Sequence, residues 1–470
     1  MRDYLLHLDL RSTRRVKPIG LSAGGDRGIM SWLALAIRRG LLRFRPGFAA
    51  ASLILSSAVA FGQTRWESFP ASVSTLPDAA ALQAPPLVWP PRLGGQPKLE
   101  GLIEEIDAPL RLRGTYQRFT FSQREDVHHE GLLRLKQRAG LTTPLRYVLP
   151  AAGSWIYYVP ERPAPGPDGK VRIKKSDRNP ATMTLQFTSA RVTGVDEEGK
   201  PEVVTLDKTM FYYLKPSSNT AERGVALIMP GLLGTPEGPM GKLTTLLRAQ
   251  GWGVLRMLAQ PATFVEPASF ELDVGQPPEA QLQGIITLAG ERTAECAYSV
   301  EAAFGYLETK FPQYASLPRV AVGFSGGALT LPTVISREPA RYARAVLIGG
   351  GANFFLMTLE TNYKNVTNVN YHWKSNQADA PAPGDLARWS QAYLSKSPLD
   401  SYFTAAVMKD KPTLVIMGEA DYAVPSPLGD LLWERMGKPE RIVVPDGSHE
   451  LLFVVVPNYF DRVMEFIGGK

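Results

Sequence analysis

Residues 319–327 read Arg-Val-Ala-Val-Gly-Phe-Ser-Gly-Gly: an apolar run enters Gly323-Phe324-Ser325-Gly326-Gly327, and a helical pattern follows. G-x-S-x-G between a strand and a helix is the spacing that presents a serine nucleophile on a sharp turn. The glycines have a steric reason. Strand and helix crowd the turn, so the neighbours of Ser325 do best without a Cβ. The same residues without those flanking elements would be an ordinary glycine turn. A serine hydroxyl is a weak nucleophile and needs an adjacent base. The chain has five histidines, His7, His128, His129, His372 and His449. His449 stands in Pro445-Asp446-Gly447-Ser448-His449-Glu450, after a strand pattern and before the last helical one. The base in turn needs a carboxylate to fix its tautomer and to stabilise the imidazolium. The strand pattern Thr413–Met417 ends in Gly418-Glu419-Ala420-Asp421-Tyr422-Ala423-Val424-Pro425. Asp421 is favoured by that context, Glu419 is the alternative acid, and Asp446 is a weaker one. A final requirement is a pair of backbone N–H donors for a developing oxyanion. The turn Pro230-Gly231-Leu232-Leu233-Gly234 follows the apolar run Val225–Met229. It would supply the Leu232 amide, and Gly326, next to the nucleophile, would supply the other. A glycine-rich turn that merely ends a strand is the bland alternative.

These residues need a scaffold that gathers strand ends on one edge. From residue 182 the pattern is regular. Thr182–Phe187, Ala190–Val195, Val203–Leu206 and Met210–Leu214 have strand character, with a turn at 197–200. Val225–Met229 is a continuous apolar run, as expected of a strand buried on both faces. Met240, Leu243, Leu246 and Leu247 share one face of a helix. Strands at Gly253–Met257, Arg319–Val322, Ala343–Ile348, Thr413–Met417 and Ile442–Val444 alternate with helices at 289–311, 328–336, 429–436 and 458–466. Such alternation implies an α/β fold, a mostly parallel sheet with helices on both faces. A strand followed by a loop at each site then puts Ser325, Asp421 and His449 at one carboxyl edge. The long segment from Gly351 to Met408 shows no clear strand. It holds Phe354, Phe355, Tyr363, Tyr371, His372, Trp373, Trp389 and Tyr393.

The chain has 470 residues, of which 44% are hydrophobic and 21% charged, a globular composition with room for more than one domain. Its net charge of +7 is local. Residues 1–62 carry ten basic and three acidic side chains, and the remaining 42 of each sign cancel. A neutral body gives no case for nucleic-acid binding. Basic residues end at Arg45, and the apolar run Phe48–Phe61 follows, closing in Ala58-Val59-Ala60. A charged region, a short apolar run and an A-x-A site are the parts of a secretory signal. The run is short of the ~20 residues that a membrane-spanning helix needs. We therefore expect residues 1–62 to be a leader cleaved near Ala60 or Gly62, an exported protein, and no stable membrane span after cleavage. Translation from Met30 would give a leader of ordinary length. Residues 63–100 are rich in Pro and Ala and read as a linker, and 101–181 as a β-rich extension. The single cysteine, Cys296, excludes an intramolecular disulfide and Cys-rich metal sites. It sits in a helical pattern and is expected to be a small buried residue. Adjacent His128 and His129, beside Glu130, would point to opposite faces of a strand. With no second cluster to accompany them, neither a metal nor a cofactor is expected.

Taken together, Gly323–Gly327, Asp421, His449 and the Pro230–Gly234 turn resemble the α/β-hydrolase superfamily over roughly 182–470. The chain order Ser, Asp, His agrees with that of the family. Pro230 stands where the family's H-G-x-x-G turn has histidine; a backbone donor does not require that side chain. The Gly-Phe-Ser-Gly-Gly sequence is similar to acetyl-xylan esterase, dienelactone-hydrolase and prolyl-oligopeptidase-like members, although dienelactone hydrolases carry cysteine at the nucleophile. The resemblance implies an eight-stranded sheet, a cap insertion after the sixth strand at about 352–408, and a Ser-His-Asp hydrolase that forms an acyl-enzyme. The expected substrate is a small-molecule or polymer-borne carboxylic ester. A prolyl-oligopeptidase-like serine peptidase and a catalytically silent binding protein are the competing readings. The N-terminal region is short for the propeller of the first, and a complete Ser-Asp-His set argues against the second. The aromatic residues of the cap would either face an acyl or aromatic substrate or form the cap's own core.

Overall fold

The structure is a computed structural model. It describes residues 85–86, 103–108, 115–122, 152–159, 167–170, 178–195, 197 and 201–469, except 218–219, 233–234, 236, 259, 261–267, 362–368 and 375–382. The expected leader, most of the expected linker, His128 and His129 lie outside the described residues.

The described strands are β1 (Ile103–Ile106), β2 (Thr115–Ser122), β3 (Ala152–Val159), β4 (Met183–Val195), β5 (Pro201–Leu214), β6 (Gly224–Met229), β7 (Trp252–Met257), β8 (Ala268–Leu272), β9 (Arg319–Phe324), β10 (Tyr342–Ile348), β11 (Val369–Trp373), β12 (Thr413–Gly418) and β13 (Glu440–Val444). The helices that matter here are α1 (Glu237–Ala249), α2 (Gln283–Lys310), α3 (Gly326–Arg337), α4 (Phe354–Glu360), α5 (Pro383–Leu394), α6 (Ser426–Arg435), α7 (His449–Val455) and α8 (Phe460–Gly468). One sheet dominates, in the order β1-β4-β5-β7-β6-β9-β10-β12-β13. Pairing is antiparallel from β1 through β7 and parallel from β7 onward.

The sheet has nine strands where eight are expected. The ninth is β1, from the stretch expected to be an extension, paired antiparallel with β4, Ile103 opposite Phe187. The four short strands read between 182 and 214 are two long ones, β4 and β5, joined as a hairpin. Polar residues interrupt the apolar pattern there, but cross-strand pairing carries both strands through the interruption. β2 and β3 pair with each other in a separate two-stranded sheet.

β6, β7, β9 and β12 are buried at every position. Each is covered on both faces. Ala226, Ile228, Val320, Val322, Phe324, Val346 and Ile348 face Met240, Leu243 and Leu247 of α1, Leu452 of α7, and Phe460 and Val463 of α8. The alternate residues face α2, α3 and α6, whose apolar sides are buried as well. The chain steps from β6 outward to β7 and then back past β6 to β9. Strand order therefore reverses between β6 and β9. In open α/β sheets the crevice beyond the carboxyl ends at such a switch point is where ligands bind.

The segment between β10 and β12 holds α4, β11 and α5. Where the sequence reading expects no clear strand it contains one: β11 pairs in parallel with β8, from the connection after β7. The two loops complete each other. Val369, Tyr371 and Trp373 alternate with the exposed Asn370 and His372, a strand period of only five residues that is easily passed over among the surrounding aromatics.

Candidate active site

Ser325 lies between β9 and α3 with φ +49° and ψ −116°. That left-handed backbone is costly for a residue with a Cβ, about 1–3 kcal/mol, and holds only where the surroundings enforce it. They do so by contact. A Cβ on Gly323 would lie 2.7 Å from the Gly327 carbonyl oxygen, and one on Gly327 would lie 2.6 Å from that of Met229. Strand and helix are thus closer than side chains permit, and glycine at both positions lets the turn close. The Ser325 amide donates to Ile348 O at 2.8 Å, tying the turn to β10.

His449 opens α7, with Ser448 capping that helix through the Leu451 amide. Its Nε2 is 2.9 Å from Ser325 Oγ, and its Nδ1 is 2.7 Å from Asp421 Oδ2. The other Asp421 oxygen accepts from the Ala423 and Val424 amides at 3.0 and 2.9 Å. The carboxylate is therefore held at both oxygens and cannot turn away from the imidazole. Asp421 and His449 are buried, 2% and 4% exposed, so their pairing is shielded from solvent. The loops that carry them are sewn together. Glu419 N donates to Val444 O and Ala420 N to Gly447 O. The Phe453 ring meets the imidazole edge-on with centroids 5.0 Å apart.

Burial alone would lower the basicity of His449. The charge of Asp421, its hydrogen bond and the charge of Glu450 together outweigh burial, and the pKa lies above the ordinary imidazole value. An Asp-oriented imidazole of raised basicity, hydrogen-bonded to a serine hydroxyl, is arranged to accept that proton.

Of the three carboxylates considered for this position, only Asp421 touches His449. Glu419 is exposed, and its Oε2 accepts from the Asp446 amide at 3.1 Å. Asp446 sits in the same exposed turn, with φ +50°. Leu232 and Gly326 are neighbours: a Cβ on Gly326 would lie 3.1 Å from the Leu232 nitrogen. Leu233 and Gly234 lie outside the described residues. Five aromatics of the 352–408 segment pack on one another, and Tyr363 lies outside the described residues. Phe355 stacks with Tyr371, Trp389 and Tyr393, and Trp373 meets Trp389 edge-on. Phe355, Trp389 and Tyr393 are fully buried. These residues are the segment's own core.

Sequence reasoning passed over Gln260. It is buried just beyond β7, donates to Pro230 O at 2.8 Å, and accepts from Cys296 Sγ. A lone glutamine in a loop carries no spacing signal. Its place follows only once β7 is seen beside β6. Cys296 is buried as expected. Among the described residues, no group of three or more His, Cys, Asp and Glu side chains is placed to hold a metal ion, and no helix is long and apolar enough to cross a membrane.

No protein-family model matches the chain, and no curated protein matches it by sequence. Among solved structures it is similar to Est1E from Butyrivibrio proteoclasticus, with 14% identity, a TM-score of 0.37, and coverage of 59% of this chain and 99% of that one. It is also similar to the Pyrococcus furiosus esterase Pf2001, with 17% identity, a TM-score of 0.37, and coverage of 60% and 92%. The Pyrococcus horikoshii acylaminoacyl peptidase gives 12% identity, a TM-score of 0.38, and coverage of 67% and 45%. Likenesses this distant carry no weight for activity. The chain's own strand order and the tight turn at Ser325 carry the structural conclusion: an α/β fold whose mostly parallel sheet brings Ser325, Asp421 and His449 together at its carboxyl edge.

Proposed function

We propose that the protein is an exported serine hydrolase that cleaves carboxylic esters, small or polymer-borne, through an acyl-enzyme. The observation that carries this reading is the hydrogen-bonded line from Asp421 through His449 to Ser325, at 2.7 and 2.9 Å. Ser325 Oγ attacks the ester carbonyl carbon while His449 Nε2 takes its proton. The carbonyl oxygen becomes an oxyanion held by the Leu232 and Gly326 amides. Such a donor is worth about 3–4 kcal/mol in the transition state. The tetrahedral intermediate expels the alcohol, which receives the proton from His449, and the acyl group stays on Ser325. Water, deprotonated by the same imidazole, attacks the acyl carbon. Ser325 leaves with the proton returned, and the carboxylic acid is released. No step needs a metal or a cofactor. The segment between β10 and β12 serves as a cap whose aromatic core holds its shape.

The test is hydrolysis of p-nitrophenyl esters from acetyl to dodecanoyl by the full chain, with Ser325→Ala as the control. Turnover is expected to fall about 10³-fold or more in the variant. The chain-length optimum sizes the acyl site. Undiminished turnover by the Ser325→Ala protein would overturn the assignment of the nucleophile. Export is tested separately by N-terminal sequencing of protein secreted from a bacterial host. The reading requires a mature chain that begins just after Ala60 or Gly62.

A further inference from the structure

β7 lies beside β6, so the residues following each strand meet at the carboxyl edge. Gln260 reaches across from the β7 end, 2% exposed. Its Nε2 donates to the Pro230 carbonyl at 2.8 Å. Pro230 O and the Gly231 amide belong to one peptide plane, and the Gly231 amide donates to Thr235 Oγ1 at 3.0 Å. That plane is therefore pinned at its oxygen and at its nitrogen. It is the plane immediately before the Leu232 amide, and only the soft dihedrals of Gly231 lie between them. The same carbonyl presses on the nucleophile turn, since a Cβ on Gly327 would lie 2.7 Å from Pro230 O. On the far side of Gln260, its Oε1 accepts from Cys296 Sγ of α2 at 2.9 Å. A thiol donor at that end sets which face of the amide meets Pro230. Reversed, the Gln260 oxygen would oppose the Pro230 oxygen.

We propose that Gln260 is a positioning residue for the oxyanion turn, with Cys296 fixing the orientation of its amide. Gln260 touches no reacting atom. It holds the Pro230–Gly231 peptide so that the Leu232 N–H meets charge that appears only in the transition state. The inference rests on the hydrolase reading above and on Leu232 as an oxyanion donor. Misalignment of such a donor costs rate rather than substrate binding.

The experiment compares Gln260→Leu, Cys296→Ala and Cys296→Ser in the full chain, using the ester of best turnover and an alkylboronic acid. The boronate adduct on Ser325 places an oxygen where the oxyanion forms. Gln260→Leu is expected to lower kcat about ten- to a hundredfold with KM within about twofold. Boronate affinity is expected to fall by the same factor. The acidic limb of kcat/KM stays at its wild-type pH, because Asp421, His449 and Ser325 are untouched. Cys296→Ala gives a smaller loss, and Cys296→Ser, which keeps a donor for Gln260 Oε1, restores wild-type rates. Wild-type kcat in folded Gln260→Leu overturns the inference, as does a loss of rate with unchanged boronate affinity. Should Gln260→Leu fail to fold, the Cys296 pair decides: equal rates for Ala and Ser overturn it. Persistent turnover by Ser325→Ala would instead overturn the hydrolase reading itself.

Discussion

Asp421 and Glu419 stand two residues apart on one loop, and they differ in what holds them. Asp421 is buried, with two amides on one oxygen and His449 on the other. Glu419 faces solvent and takes the Asp446 amide. Asp421→Asn is therefore expected to lower kcat by about 10³–10⁴-fold, because the amide cannot stabilise the imidazolium and favours the wrong tautomer. Glu419→Gln should leave kcat within about twofold. Steady-state rates of the two variants check this pair, and the reverse ranking would reassign the acid. The pH profile follows from the same contacts. Burial lowers the pKa of His449, but the charge and hydrogen bond of Asp421 and the charge of Glu450 raise it more. In the proposed mechanism the base works neutral, so activity is expected to fall as pH drops through a value above that of an ordinary imidazole. Glu450→Gln removes one raising charge and should move the acidic limb of kcat/KM to lower pH. A limb that stays in place or moves up would contradict the role given to Glu450. Stability has the opposite sense. A raised folded-state pKa stabilises the protein fully below the unfolded value and loses that contribution as pH rises through the folded one.

At the scale of elements, the segment between β10 and β12 is rooted by Asp400. Its Oδ1 accepts from the Asn353 and Tyr402 amides, and its Oδ2 from the Phe354 amide and the Tyr393 hydroxyl. Asn353, at φ +67°, adds a bond to Ser390 Oγ on α5. One buried carboxylate thus joins the start of α4 to the end of α5. Asp400→Ala leaves four donors without an acceptor, and the expected cost is about 3 kcal/mol or more. Thermal melting checks it, and a Tm within 1–2 °C of wild type would show that the root lies elsewhere. The contrast with the active site explains what the sequence could carry. Ser325 and its glycines are neighbours in the chain, and a turn so tight leaves a local spelling. β6, β9 and β12 are buried on both faces and appear as unbroken apolar runs. Asp421 becomes legible because it follows such a run, and His449 because it follows the shorter apolar stretch Ile442–Val444 of edge strand β13. Asp400, Gln260 and the pairing of β8 with β11 have no local spelling. They join residues tens of positions apart, and no period in the chain records a contact of that kind. The aromatics of the segment were visible but ambiguous, since the same residues suit a substrate wall or a packed core. The stacking on Phe355 decides for the core.

For the molecule as a whole, the open sheet has two edges, and each must be protected from pairing with another chain. β13 forms one edge. Its first residue, Glu440, meets Arg462 of α8 in a two-pronged ion pair. β1 forms the other edge, four residues long and acidic at its centre. Glu104 takes a hydrogen bond from Gln186, and Glu105 one from Tyr306 of α2, with Lys310 also near. Ile103 is 4% exposed, and its burial is the main apolar anchor of the strand. Beneath β1, β4 carries Leu185 and Phe187, both buried. Ile103→Asp places a carboxylate in that anchor and forfeits about 2–3 kcal/mol of apolar burial. β1 should then leave the sheet and uncover the backbone edge of β4. The expected outcome is association that rises with concentration, seen by light scattering after size exclusion. Four strands stand between β1 and β9, so ester turnover per chain should stay within about twofold. Glu104→Lys, which keeps Ile103 seated, should remain in the wild-type state. Unchanged scattering in Ile103→Asp would mean that β1 is not what protects this edge. Loss of turnover without association would mean that the strand supports the site through the sheet.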